Sequence, residues 1–582
     1  MQRDLARIPL FEGLEPAAQQ EMQRRLQPRH FAPGEFLCRE GESACSLFII
    51  ESGLAHVSVG RPEGSRTVAR LRRGDLVGEM SLITGEPRSA TVQAILPTTA
   101  LELDQQAFGS VLAAHPGVFA NLTRILSHRL AEADAQLRWG QQHGEAVALV
   151  AGTETSWLLS QVVASTQAAS ARDVACIDLT GTLPADTPCR REPTAEAGLE
   201  VLEHLLSTHA TVLTVIGQDQ PLWLLQHMDR VLLLGTEAEC ARAARECSRG
   251  GEVALVNGHD SSTPDSIAGM KVIRTIDPED PDADIAWLGR HLSRTKIGLA
   301  LGAGGAKGFA HVGALQVLEA AGYTVDYVGG SSIGAVVGAW LALGRNAEEI
   351  EGTMRRTFTP ETVASIFKLS FGGMSSGTEE LQRIWTDTTD GLSFSEVAIP
   401  LVIMAADLER KRPAPLAEGP IWQALMAATA VPGLNPPYQV DGQRLVDAIA
   451  LVPVPSQAVR SAGADIVMAI NLISRDTLPA WPTNIAVPAA PATKGSRMLD
   501  TLLEVMDLMQ LDGSIRHAAL ADVVVTPRFG PSSWRDFQLA DLFLTAGRTA
   551  MEEQLPALHA LAHPQPCRTT NSGGVYGTTV HV

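Results

Sequence analysis

The sequence predicts a multidomain protein: an N-terminal all-β roll with flanking helices, a middle α/β domain, and a C-terminal α/β/α domain. Three observations carry this. Between residues 8 and 103, short apolar alternations are separated by glycine turns. Between 145 and 290, apolar runs alternate with helical stretches. From 297 onward, two glycine-rich turns each follow an apolar strand and open a helix. A chain of 582 residues is long enough for three domains, each with its own core. The expected boundaries are 1–140, 141–295 and 296–562, with a disordered tail rich in Pro, Thr, Ser and Gly over 563–582.

The N-terminal runs Leu47-Phe48-Ile49-Ile50, short and apolar, and Ala55-His56-Val57-Ser58-Val59, alternating with a period of two, read as strands separated by turns at Gly34, Gly41, Gly53 and Gly74. Within this roll stand Gly78-Glu79-Met80-Ser81-Leu82 and Pro87-Arg88-Ser89-Ala90-Thr91. These segments resemble the phosphate-binding cassette of cyclic nucleotide-binding domains, over nearly all of residues 5–135. The chemistry agrees. A cyclic phosphodiester carries one negative charge, which a short helix N-terminus and the guanidinium of Arg88 can satisfy with parallel donors. Glu79 supplies an acceptor for the ribose 2′-hydroxyl, and by the family pattern Ser89 leans toward cAMP over cGMP. The resemblance therefore implies cAMP or cGMP as an allosteric ligand held by Gly78, Glu79, Met80, Ser81, Arg88 and Ser89.

In the middle region the runs Val147–Val150, Val174–Leu179, Thr211–Ile216, Val231–Leu234 and Val253–Val256 alternate with the helical stretches Ala195–Thr208 and Glu237–Cys247. That βαβ rhythm predicts a parallel sheet. Gly152-Thr153-Glu154-Thr155-Ser156 hints at a phosphate loop but lacks the lysine and second glycine, so a structural turn is expected.

The C-terminal unit carries the densest signal. Gly330-Ser331-Ser332-Ile333-Gly334 follows Tyr327-Val328 and opens the small-residue helix Ala335–Trp340. This is G-x-S-x-G between strand and helix, the pattern that exposes a serine hydroxyl at a helix N-terminus. Upstream, Gly302-Ala303-Gly304-Gly305-Ala306-Lys307-Gly308 lies between strand Ile297–Leu301 and a helix over roughly Phe309–Ala320. Lys307 stands where a dinucleotide fingerprint needs its third glycine, and Gly308 where a P-loop needs Ser or Thr. An oxyanion hole fits better, with Gly304, Gly305 and Ala306 offering backbone N–H groups. The nucleophile needs a base, and Leu445-Val446-Asp447 delivers one carboxylate about 115 residues after Ser332. His311, one turn into the helix after the glycine loop, reads as a packing histidine.

Ser332, the glycine loop and Asp447 together resemble the patatin-like phospholipase family, in its neuropathy target esterase branch, over roughly residues 296–560. The resemblance includes Pro432-Gly433-Leu434-Asn435-Pro436-Pro437 and Ala469-Ile470-Asn471-Leu472. It implies an α/β/α hydrolase domain in which Ser332 is the nucleophile, Asp447 the general base, and Gly330 and Gly334 form the elbow. It implies hydrolysis of lysophospholipid or phospholipid acyl esters without a metal or catalytic cofactor. Several positions depart from the family: Asp447-Ala448-Ile449 for Asp-Gly-Gly, Val452-Pro453 for Asn-Asn, Ala427-Ala428-Thr429-Ala430 for a serine-bearing segment, and Ala303 for the first oxyanion glycine.

Seven scattered cysteines without metal spacing read as reduced thiols, and the chain as a cytoplasmic protein in transient peripheral contact with the inner membrane surface. A net charge of −19 argues against nucleic acid as partner. Ile366-Phe367-Lys368-Leu369-Ser370-Phe371-Gly372-Gly373-Met374 reads equally as a lipid-touching lid and as a buried helix edge. Three functions compete: a serine lysophospholipase with a nucleotide-sensing module, a cyclic-nucleotide receptor whose hydrolase domain is inactive, and a dinucleotide-binding enzyme using the Gly302 loop.

Overall fold

The computed structural model describes residues 9–11, 22–43, 46–53, 55–61, 64–71, 74–84, 87–95, 97–115, 118, 121–122, 144–152, 154–217, 222–247, 251–257, 264–366, 376–432, 434–440, 442–473, 510–530 and 532–564. The chain divides into two compact units, residues 1–146 with 221–230, and 147–220 with 231–582. The lid segment after Ile366, residues 123–143 and the tail after 564 lie outside the described residues.

The first unit holds the expected all-β roll as two four-stranded sheets. One runs Gln27–Phe31, Thr98–Asp104, Ser46–Ser52, Leu76–Val77; the other runs Phe36–Cys38, Thr91–Ala94, Ala55–Arg61, Gly64–Leu71. The strand Ser46–Ser52 shows why this sequence makes a two-sided element. Leu47 and Ile49 pack into a cluster with Leu10, Phe11, Met22 and Phe108, while Phe48 and Ile50 join Leu37, Val92 and Ala94. Alternate side chains leave a strand on opposite faces, so four consecutive apolar residues serve two cores.

The second unit contains two eight-stranded sheets. The first has the order Arg190–Arg191, Val174–Asp178, Thr211–Gly217, Glu145–Ala151, Arg230–Gly235, Glu252–Val256, Met270–Ile276, Ser266–Ile267. Val174–Asp178 pairs in parallel with Thr211–Gly217, and Glu252–Val256 pairs in parallel with both Arg230–Gly235 and Met270–Ile276. Every residue of Glu145–Ala151 is buried, as expected of a strand covered on both faces. At the carboxyl end of this strand the loop hinted to bind phosphate is filled from within. Glu239 accepts from the amide of Glu154 (3.2 Å), the hydroxyl of Thr155 (3.3 Å) and the amide of Thr236 (3.0 Å). A Cβ on Gly152 would fall 1.8 Å from a Glu239 carboxylate oxygen, so glycine there makes room for the carboxylate. Glu239→Ala removes the acceptor of these donors, that of Thr155 buried, and should destabilise the chain by about 1–3 kcal/mol, read as a lower midpoint in chemical unfolding.

The second sheet, with Arg412–Leu416 pairing outside the main path, has the order Tyr438–Val440, Gln443–Asp447, Leu401–Asp407, Tyr327–Ser331, Ile297–Leu301, Ile466–Ile470, Val523–Val525. Helices Phe309–Ala320, Ile333–Ala342 and Ala540–His559 share one large apolar core with it, around the fully buried Trp340 and Phe543. The two sheets of this unit are joined by a buried bidentate pair. Arg290, on helix Asp282–Leu292, donates through Nε and Nη2 to Asp326 at 2.8–3.1 Å, and the same carboxylate accepts the amide of Ile297. Asp326 immediately precedes the strand that ends in Ser331, so this contact fixes the base of the elbow.

Candidate active site and nucleotide cassette

Strand register brings the nucleophile and the base together. Leu401–Asp407 pairs with Arg412–Leu416 through Ile403–Asp407. It also pairs with the elbow strand through Leu401–Met404 and with the Asp447 strand through Ala405–Asp407. The overlaps oblige the last two to share the edge opposite Arg412–Leu416. They therefore meet end to end, Ser331 opposite Met404 and Asp447 opposite Ala405.

Ser332 sits at φ 54° and ψ −125°, a conformation L residues seldom hold and one that costs on the order of 1–3 kcal/mol. The flanking glycines are needed for space. A Cβ on Gly330 would lie 2.2 Å from the Gly334 carbonyl oxygen, and one on Gly334 would lie 2.1 Å from that of Leu301. Ser332 as a whole residue is 8% accessible. The elbow strand end meets the Asp447 strand end along Leu401–Asp407.

Asp447 is 1% accessible, and burial raises its carboxyl from 3.8 to about 7, partly offset by the Ser332 hydroxyl and the Ile449 amide. Oδ1 accepts the Ile449 amide at 3.0 Å. Oδ2 has no hydrogen bond of ordinary geometry among the described residues, so the Ser332 hydroxyl is close enough to act on the carboxyl without a formed bond. Such contacts are commonly loose before substrate arrives.

The glycine loop turns through a 3-10 segment, Gly305–Gly308, with Gly305 at φ 57°. Of the three amides expected to hold an oxyanion, that of Ala306 donates to the Trp534 carbonyl at 2.7 Å and is not free in this structure. No hydrogen bond from the amides of Gly304 or Gly305 is found among the described residues. The departures from the family pattern are bridged by backbone. The Val452 carbonyl accepts from the Ser331 hydroxyl at 2.6 Å, and the Pro453 carbonyl accepts the Ala303 amide at 2.9 Å, tying elbow and glycine loop to one segment. The Ala430 carbonyl accepts the Asp447 amide at 3.0 Å. Sequence reasoning missed Trp534 and read Val452, Pro453 and Ala430 only as departures, because each acts through a carbonyl that every residue possesses. Gly433 lies outside the described residues. His311 is fully buried, and burial lowers its pKa to about 4. Its Nε2–H donates to the Gly302 carbonyl at 2.8 Å, which makes it a packing group under the loop.

In the first unit, Gly78 turns at φ 82° into the short helix Glu79–Thr84. Glu79, Ser81 and Arg88 are buried together, Ser89 is exposed, and the Met80 side chain lies outside the described residues. Arg88 is turned inward: Nη1 donates to the Gly78 carbonyl at 3.0 Å and Nη2 to that of Ser46. The Ser81 hydroxyl donates to the Pro87 carbonyl at 3.3 Å. Arg88 and Ser81 thus bond to backbone carbonyls of the cassette and of strand Ser46–Ser52.

Comparison with known proteins finds matches for both regions. The profile of the patatin-like phospholipase family matches residues 299–456, and that of the cyclic nucleotide-binding domain matches residues 28–115. One uncharacterized NTE family protein of Mycobacterium tuberculosis is 31% identical over 38% of this chain, which covers 60% of that relative's length. Another from the same organism is 23% identical over 95% of this chain and 96% of its own. Human patatin-like phospholipase domain-containing protein 6 is 23% identical over 76% of this chain and 37% of its own. Among solved structures, the Thermus thermophilus catabolite activator protein aligns with 27% of this chain and 68% of its own, at 28% identity and a TM-score of 0.22.

Proposed function

From a chain that joins a patatin-like phospholipase domain to a cyclic nucleotide-binding domain and is related to NTE family proteins, we propose a serine hydrolase of lysophospholipid or phospholipid acyl esters with a cyclic-nucleotide sensor. The observation that carries the reading is a buried carboxyl with one unoccupied oxygen, Asp447 Oδ2, beside a serine held in a strained elbow. Ser332 Oγ attacks the ester carbonyl while Asp447 takes its proton. The amides of Gly304 and Gly305 receive the oxyanion. Collapse expels the glycerophospho alcohol, which recovers the proton from Asp447. Water, deprotonated by the same carboxylate, then releases the fatty acid. Hydrolysis of a lysophosphatidylcholine panel, with fluorophosphonate labelling of Ser332, tests this. Absence of both turnover and labelling leaves the cyclic-nucleotide receptor with an inactive hydrolase domain.

In this reading the sensor binds a cyclic phosphate through the N-terminus of Glu79–Thr84 and Arg88, and the ribose hydroxyl through Glu79. To reach the phosphate, Arg88 exchanges its bonds to the Gly78 and Ser46 carbonyls for charge-assisted ones. Arg88→Leu should weaken cAMP binding by about 2–3 kcal/mol, roughly 30- to 150-fold, in calorimetry on the full chain. Wild-type protein giving neither heat nor a thermal shift with millimolar-range cAMP or cGMP counts against the sensor.

A further inference from the structure

We propose that the hairpin tip Leu408–Arg412 docks this protein onto an anionic lipid surface, an inference that rests on the lipid-ester reading above. Leu401–Asp407 pairs with the elbow strand as far as Met404, opposite Ser331, and then runs on before turning into Arg412–Leu416. At roughly 3.3 Å per residue, Leu408 stands about 13 Å beyond the end of the elbow strand, at the end of the sheet where Ser332 lies. Asp447 is between them, paired with Ala405, and the amide of Leu408 donates to the carbonyl of Arg444 on the Asp447 strand at 3.0 Å. The tip therefore projects past the nucleophile and the base, alongside the neighbouring hairpin Tyr438–Asp447.

Its chemistry suits a membrane surface. Arg410, Lys411 and Arg412 are consecutive and exposed, as is Arg444 beside them, and Leu408 is 42% exposed. The opposing acids are Glu409 on the tip and Asp407 beneath it. Asp407 is buried and already accepts from the amides of Glu409 and Arg410 and from the Arg410 guanidinium at 3.4 Å. Four bases against two acids leave the described tip residues at +2, within a chain of net charge −19. Asp441, in the adjacent turn, lies outside the described residues. An acidic body is repelled by anionic lipid, so a projecting positive tip decides which face approaches within a Debye length. Leu408 then enters the interface.

The test is co-sedimentation of the full chain carrying Ser332→Ala, which spares the lipid, with vesicles of pure phosphatidylcholine or of phosphatidylcholine and phosphatidylglycerol in equal parts. Binding is expected on the anionic vesicles only, falling as salt is raised. Neutralising one basic residue at such a surface lowers partition about five-fold, so Lys411→Gln with Arg412→Gln should lower it about 25-fold. Leu408→Ser should lower it further. The same pair of substitutions in the Ser332 protein should leave turnover of a short soluble ester unchanged. No preference for anionic vesicles, equal binding by the doubly neutralised protein, or binding to duplex DNA in place of vesicles overturns the proposal. Loss of soluble-ester turnover in the wild type sinks the hydrolase reading without touching vesicle binding, so the two failures are distinguishable.

Discussion

Ser332→Ala should lower ester hydrolysis by on the order of 10³-fold or more, because it removes the attacking oxygen and leaves a chain folded as before. Circular dichroism and cAMP binding should be unchanged. Ser332→Gly should be equally inactive yet more stable. A residue at φ 54° carries strain that glycine does not, so its unfolding midpoint should exceed that of the wild type, by on the order of 1 kcal/mol. The combination of lost activity and gained stability belongs to a strained nucleophile. A Ser332→Gly protein less stable than Ser332→Ala would show the elbow conformation to be unstrained, and residual turnover in clean Ser332→Ala would place the nucleophile elsewhere.

Asp447→Asn should be nearly as inactive as Ser332→Ala, and the double variant little worse than either, since the two groups act as a unit. The elevated pKa gives two pH signatures. The base works deprotonated, so kcat/KM should fall about tenfold per unit as pH drops below about 7. Stability runs the other way. Between the ordinary 3.8 and the folded value of about 7, the folded chain keeps the Asp447 proton and the unfolded chain has released it. Protons bound by the native state exceed those of the unfolded state, so each rise in pH through that window removes stability, and above it the cost of the buried charge is constant. Asn carries no charge to bury, so Asp447→Asn should unfold at higher denaturant than wild type at pH 8, with the advantage shrinking toward pH 4. Flat activity across pH 5–8, or an Asn variant less stable at pH 8, would remove Asp447 as the base.

The elbow, the glycine loop, the roll and the βαβ rhythm were legible because each is set within a few residues. Gly330 and Gly334 are demanded by backbone atoms packed against them, and Leu47–Ile50 needs only its alternation to divide between two cores. The finer state of the site was not legible. Ala306 reads as an oxyanion donor until Trp534, far along the chain, takes its amide. The local pattern at Ser332 does not show that the Asp447 strand ends beside the elbow strand. Val452 and Pro453 read as losses of polar side chains, yet their carbonyls hold Ser331 and Ala303.

The sequence by itself determined which residue types stand at the turn, in the glycine loop, at the strand end and in the cassette, since short-range sterics of glycine and the period of apolar residues decide local backbone. The tertiary structure alone decided the elevated pKa of Asp447, the inward guanidinium of Arg88, the self-filled loop at Glu239 and the projection of the basic tip past Ser332. Desolvation depends on what packs from distant segments, and a backbone carbonyl that accepts a hydrogen bond is chemically the same in every residue, so neither leaves a mark in the order of amino acids.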